Sequence, residues 1–223
     1  MSRKKRKLLC AICGVRPAIT KDHIPPKGIF PSPRPSNLIT VPACKPCNHG
    51  DSELDERFRV DLSHHVGLDD SLTENLWNDT LRTLEKNRKL KNKILSGIEE
   101  TYFTTPQGII YEKGYRRKWD SAAHDAIIER TIRGLYYHHL RHILANTVHV
   151  KTHWFKTLNK DLYTVSENWP GDSLGQGQFV YRFNYAADTP LHSVWIFQFY
   201  SRHWAGGYTT PIAEANLSPQ TAR

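Results

Sequence analysis

The sequence predicts an α+β fold in three parts: a small four-cysteine unit of two strands and a helix, then long helices, then a mostly antiparallel C-terminal sheet. Three observations lead there. All four cysteines fall in two Cys-x-x-Cys pairs, Cys10 with Cys13 and Cys44 with Cys47. In the middle of the chain apolar residues recur every three or four positions, the period of a helix with one buried face. Beyond about residue 178 aromatic residues alternate with others, the period of a strand. The length, 223 residues, suits one largish domain or two small ones. No apolar run approaches the roughly 18 residues of a membrane span, and Leu8–Cys13 is too short for a signal-peptide core. A cytoplasmic, reducing setting is therefore expected, in which paired cysteines favour metal over disulfides.

Taken in order, Arg3 to Lys7 are five consecutive cations, a self-repelling run that reads as a flexible arm over 1–9. Cys10-Ala-Ile-Cys13-Gly14 has the form of a knuckle, with Gly14 free to take the positive φ of a tight turn. A short strand leads from Ala18 into Asp22 and His23. A proline-stiffened loop follows, then a second strand from Asn37 to Val41 and a second knuckle, Cys44-Lys-Pro-Cys47. Leu54, Phe58 and Leu62 share one face of a helix over about 52–62. Two strands and a helix around four cysteines is the plan of a treble clef, or ββα unit.

Ser71 as N-cap with Glu74 at N3 predicts a capping box and a helix running to about 96, stopped by Gly97. Thr105-Pro-Gln-Gly108 reads as the turn of a hairpin. A second long helix is expected over about 121–145, with Ile128, Ile132, Leu135, His139 and Ile143 as its buried stripe. His138, His139 and His142 share that helix. No His-Glu-x-x-His pattern accompanies them, so packing rather than metal is their expected use. Residues 168–177 read as loop. Strands are expected at 179–185, 192–200 and about 203–209, their aromatics packed on the helices.

The net charge is +9, a surplus that points to a polyanion, most often nucleic acid. Two Cys-x-x-Cys pairs separated by 30 residues match a tetrahedral structural zinc site. Within that cage lie an Asp-His pair and two asparagines, residues suited to phosphodiester hydrolysis. His23, mostly neutral near pH 7, can accept a proton from water. Asp22 and Asn48 offer oxygen ligands of the kind magnesium takes. Asn37 can anchor the loop that orients His23. Lys21, Lys45 and His49 flank these residues. Arg88, Lys89 and Lys91 lie on a basic helix that can follow a DNA backbone.

The array Cys-x-x-Cys, Asp22-His23-Ile-Pro-Pro, Asn37-Leu, Cys-x-x-Cys-Asn48 closely resembles the HNH, or His-Me finger, endonucleases. It is most similar to the four-cysteine zinc variant typified by phage recombination endonuclease VII. The resemblance covers roughly residues 10–60. It implies that His23 is the general base, that Asp22 and Asn48 hold a catalytic Mg2+ or Mn2+, that Asn37 is the middle residue of the motif and that zinc is structural. His49 leaves the third letter ambiguous, since it directly follows Asn48. The expected organisation is an arm over 1–9, a nuclease zinc unit over 10–62 and a region over 63–223 whose role in targeting, DNA or partner binding is open. The expected activity is metal-dependent cleavage of double-stranded DNA, with a protein partner directing the cut and defence against foreign DNA as one setting. The alternatives are a non-catalytic zinc module that binds nucleic acid or protein, and an RNase built on the same finger.

Overall fold

The computed structural model describes residues 8–50, 52–144 and 146–215. The basic run 3–7, Asp51 and the expected helix end at 145 lie outside the described residues. The fold is mixed α+β. A two-stranded hairpin, β1 (Thr20–Ile24) and β2 (Ile39–Ala43), opens it. Helices α1 (Lys45–His49) and α2 (Ser52–Val66) follow directly. Then come α3 (Ser71–Lys86), α4 (Arg88–Ser96) and a second hairpin, β3 (Ile98–Thr104) with β4 (Ile110–Arg117). The central helix α5 (Ser121–Leu140) leads into β5 (Val148–Phe155), the short α6 (Lys160–Ser166), β6 (Gly171–Leu174), β7 (Phe179–Ala186), β8 (Thr189–Phe199), β9 (His203–Pro211) and a last turn, α7 (Ile212–Ala215). The last five strands form one antiparallel sheet in the order β5-β9-β8-β7-β6.

Helix α5 organises the core. Its buried Ile127, Ile128, Ile132 and Leu135 belong to the same apolar cluster as Phe179, Trp195, Phe197 and Phe199 of the sheet and as Cys10, Ile24 and Val41 of the cysteine-bearing unit. The two halves thus share one core. Gly134 is where α5 meets β1: a Cβ there would lie 2.5 Å from Ile24 Cγ1, so only glycine permits this approach. The proline-rich loop between β1 and β2 is tied to the sheet as well. Tyr200 donates its hydroxyl to Ile29 O at 2.5 Å, and Asn37 bonds the backbone of β6.

Several expectations are corrected. The helix expected over 71–96 is two helices. Asn87, at φ −105° and ψ 80°, ends α3 and caps α4, its side-chain oxygen accepting from Leu90 N and its amide donating to Glu56. Both ends of that amide gain partners at the break, which a continuous helix would deny them. The capping box sits one residue early: Asp70 accepts from Leu72 N and Thr73 N, and Thr73 returns the bond. Helix α5 stops at Leu140 because Arg141 turns left-handed, at φ 56°. His142 and Ile143 are therefore not helical, and His139 instead meets the Tyr181 hydroxyl through Nε2 at 2.9 Å. Burial, then the charge of His138, push His139 down to about 4. Residues 171–174, expected as loop, are the edge strand β6. Among the described residues no helix is long and apolar enough to cross a membrane.

A pair of buried imidazoles joins α5 to β9. His124 Nε2 and His203 Nε2 are 3.0 Å apart, and both residues are fully buried among Phe58, Trp119 and Phe199. The bond needs at least one neutral ring as acceptor. Burial lowers both pKa values, and the neighbouring His124 helps bring His203 to about 3. The native state thus binds fewer protons than the unfolded chain below pH 6.5. Stability is full above that pH and falls as pH drops towards 3. One such histidine costs about 2 kcal/mol at pH 5. Urea unfolding at pH 7.5 and pH 5 should show this loss, and His203→Gln should make the difference between the two pH values smaller.

Candidate metal centre and the Asp-His strand

The cysteine cage is built from two tight turns. Cys10 N donates to Arg16 O, Gly14 N closes back on Cys10 O, and Gly14 takes φ +67°. Ala11 N donates to Pro42 O, which fastens this first turn to β2. Cys44 is the N-cap of α1, and Pro46 fits the first turn of that helix, where a missing N–H costs nothing. The four sulfurs lie within 4.8 Å of one another, Cys13 and Cys44 at 3.9 Å. Sulfurs around a tetrahedral ion with bonds near 2.3 Å stand about 3.8 Å apart, so the cluster has the size of a metal site such as that of zinc.

The turns also aim N–H groups at the sulfurs. Burial raises the thiols of Cys10 and Cys47. Burial also opposes ionisation of Cys13 and Cys44, but it is outweighed there. The N–H groups of Arg16 and Val15 bring Cys13 to about 7, and the Cys47 N–H with the Arg16 guanidinium, 3.7 Å from the sulfur, lowers Cys44. Donors converging on sulfur stabilise thiolates, the form a metal binds.

Strand β1 carries the Asp-His pair. Its alternation buries Asp22 and Ile24 on one side and leaves Lys21 exposed and His23 half-buried on the other. Burial, then the cations of Lys27 and Arg34, lower the His23 pKa, so its ring is neutral at pH 7. Asn48, on α1, donates from Nδ2 to Lys21 O at 2.9 Å. That bond sets the residue after the last cysteine against the strand of Asp22 and His23. Lys45 and His49, on the same short helix, are exposed. Asn37 lies elsewhere: it donates to Ser173 O of β6 at 3.0 Å and accepts at 3.3 Å from Gly175 N, just past that strand. This tethers the loop that follows His23 to the sheet. Arg88, Lys89 and Lys91 are all exposed on α4, whose inward residues are Leu90 and Ile94.

One participant was not foreseen. Arg130, on the buried face of α5 and 3 % exposed, brings Nε to 3.7 Å from Asp22 Oδ2 and pairs through Nη2 with Asp55 of α2. A buried guanidinium thus faces the Asp22 carboxylate. The apolar stripe did not signal it, because Arg130 lies two positions from Ile128 and so on another side of the helix; only its spacing from Ile127 and Gly134, three and four residues away, places it beside the β1 contact. No protein-family model matches the chain, and no curated protein or solved structure matches it.

Proposed function

We propose that residues 10–62 form a treble-clef, ββα-metal finger of the HNH type with a structural zinc ion, and that the chain is a metal-dependent DNA endonuclease. The observation that carries this reading is the Asn48 Nδ2 bond to Lys21 O, which joins the end of the second knuckle to the Asp-His strand. His23 accepts the proton of the attacking water. Lys21, on the same side of β1 as His23, and Lys45, on α1, are both exposed and hold phosphate oxygens. The Asp22 carboxylate and the Asn48 amide oxygen are hard donors of the sort that suit Mg2+ or Mn2+. Such a cation would supply charge stabilisation to the phosphate. Asn37, clasped to β6, positions the loop rather than touching the reacting atoms.

One observation favours a second reading. Asp22 already faces the buried cation of Arg130, which is what a non-catalytic zinc module binding nucleic acid or protein would show. A nicking assay on supercoiled plasmid, with Mg2+ or Mn2+ and zinc retained, separates the two. The nuclease reading expects His23→Ala to lower the rate by at least about 100-fold, the range of a lost general base. It expects Asp22→Asn and Asn48→Ala to raise the metal concentration needed. A His23→Ala variant that nicks as fast as the unaltered chain would sink it. Cleavage of RNA but not DNA in the same assay would make the finger an RNase.

A further inference from the structure

The hairpin β3–β4 stands out from the core. Almost every residue of both strands is exposed or nearly so, and a two-stranded ribbon is marginal in water by itself. Yet it carries large aromatics: Tyr102, Tyr111 and Tyr115 are 55 %, 65 % and 67 % exposed. None of the three contributes to either apolar cluster of the fold. Aromatics that the core does not use, on a projecting ribbon, need another partner.

Charge indicates which one. Residues 88–118 hold eight cations against three carboxylates, +5 of the chain's +9. Within the ribbon the acids are answered locally: Lys113 pairs with Glu100 at 2.9 Å and Arg116 with Glu99 at 3.3 Å. At its base Arg117 pairs with the buried Asp61. The surplus therefore sits on α4, which leads into β3 through Gly97. Arg88, Lys89 and Lys91 make no ion pair among the described residues, while Lys93 pairs with Glu53. A second copy of this chain fits less well, because ion pairs lie on both faces of the ribbon among its exposed apolar residues, and two cationic α4 surfaces would repel. A polyanion fits both features.

We infer that α4 and the β3–β4 ribbon form a second DNA-binding surface, with α4 on backbone phosphates and the tyrosine-bearing ribbon in the major groove of duplex DNA. A two-stranded ribbon is one of the two elements that the roughly 12 Å major groove admits. At about 3.4 Å per residue the seven-residue β3 extends about 24 Å, enough to lie along several base pairs. The choice of DNA rests on the nuclease reading, but the surface lies apart from the finger and can be tested without cleavage.

The test is fluorescence anisotropy on a 30-base-pair DNA duplex with the zinc-loaded full chain carrying His23→Ala. Replacing Tyr102, Tyr111 and Tyr115 together by Ser should weaken binding at least tenfold, with the thermal midpoint unchanged because these rings lie outside the core. Lys89→Ala with Lys91→Ala should lower the slope of log affinity against log salt by about 1.8, two phosphate contacts' worth. An RNA duplex of the same sequence, whose major groove is too deep and narrow to enter, should bind at least tenfold more weakly. Unchanged affinity in the tyrosine variant, equal binding of RNA, or no duplex binding at all overturns the inference. So does a dimer in sedimentation that the tyrosine variant dissociates with its DNA affinity intact, which would assign the ribbon to a second copy. A chain that binds DNA through the ribbon but fails to nick it under every divalent metal keeps this inference and loses the nuclease reading. A chain that nicks while its tyrosine variant binds unaltered does the reverse.

Discussion

Cys44→Ser is expected to abolish metal binding and to unfold the chain at physiological temperature. Cys44 and Cys10 are buried members of the main apolar cluster, alongside Ile24, Val41 and the core of α5 and the sheet. The segment around them has little regular structure to hold it: two five-residue strands, a five-residue helix and a proline-rich loop. Structural zinc in comparable thiolate sites contributes on the order of 10–16 kcal/mol of apparent binding energy at pH 7, all of it tied to folding. A whole domain has a net stability of only about 5–15 kcal/mol. The binding energy of such a site is thus as large as the net stability of a whole domain, so weakening it by one of its four sulfurs is expected to leave the fold too little. Elemental analysis should give one zinc per unaltered chain and well under one for the variant, and the cooperative thermal transition should be lost or shifted far down. A chelator strong enough to strip zinc should do the same to the unaltered protein. A Cys44→Ser chain that keeps a full equivalent of zinc and melts normally would show that the four sulfurs are not one site.

The parts of the fold that were legible in the sequence are those governed by a single local rule. The three aromatic strands β7, β8 and β9 lie close to where period-two alternation puts them, because that pattern has one solution once one face is buried. Helix α2 and the start of α5 likewise follow from their apolar spacing, and of the two cap candidates that the sequence offers for α5, Asp120 and Ser121, the cap is Asp120. The four cysteines come together as their spacing requires. What was illegible depends on competition between sites. The break at Asn87 is decided by Glu56, 31 positions away. The cap at Asp70 outcompetes Ser71 because a carboxylate accepts two backbone bonds at once. The end of α5 depends on Arg141 adopting a left-handed turn, which nothing in its immediate neighbours announces. The edge strand β6 is made by pairing with β7 and by the clasp of Asn37, both long-range. The same holds at the candidate site. Asp22, His23 and Asn48 are visible as a motif, but the charge facing Asp22 comes from Arg130, more than 100 positions later in the chain.

That distant charge sets the second large expected effect. Arg130→Met should destabilise the protein by about 3–5 kcal/mol, the usual consequence of removing one partner from a buried ion pair and leaving carboxylates without their cation. Two elements lose their link at once, since the guanidinium spans Asp22 on β1 and Asp55 on α2. Met fills a similar volume, so lost packing is a small part of the change. If charge is the cause, adding Asp22→Asn and Asp55→Asn to Arg130→Met should recover most of the loss, because neutral amides are far cheaper to bury than carboxylates. Urea midpoints of the single and triple variants decide this, and a triple variant no more stable than the single would mean that Arg130 acts through packing. The same variant bears on the nuclease reading. With the guanidinium gone, Asp22 and Asp55 face each other's charge, and a divalent cation becomes the natural neutraliser. Millimolar Mg2+ should then raise the midpoint of Arg130→Met more than that of the unaltered chain, by the linkage of binding to folding. If Mg2+ stabilises neither, the Asp22 carboxylate belongs to the structure of the finger rather than to a cation site, and the zinc-module reading gains at the expense of the nuclease.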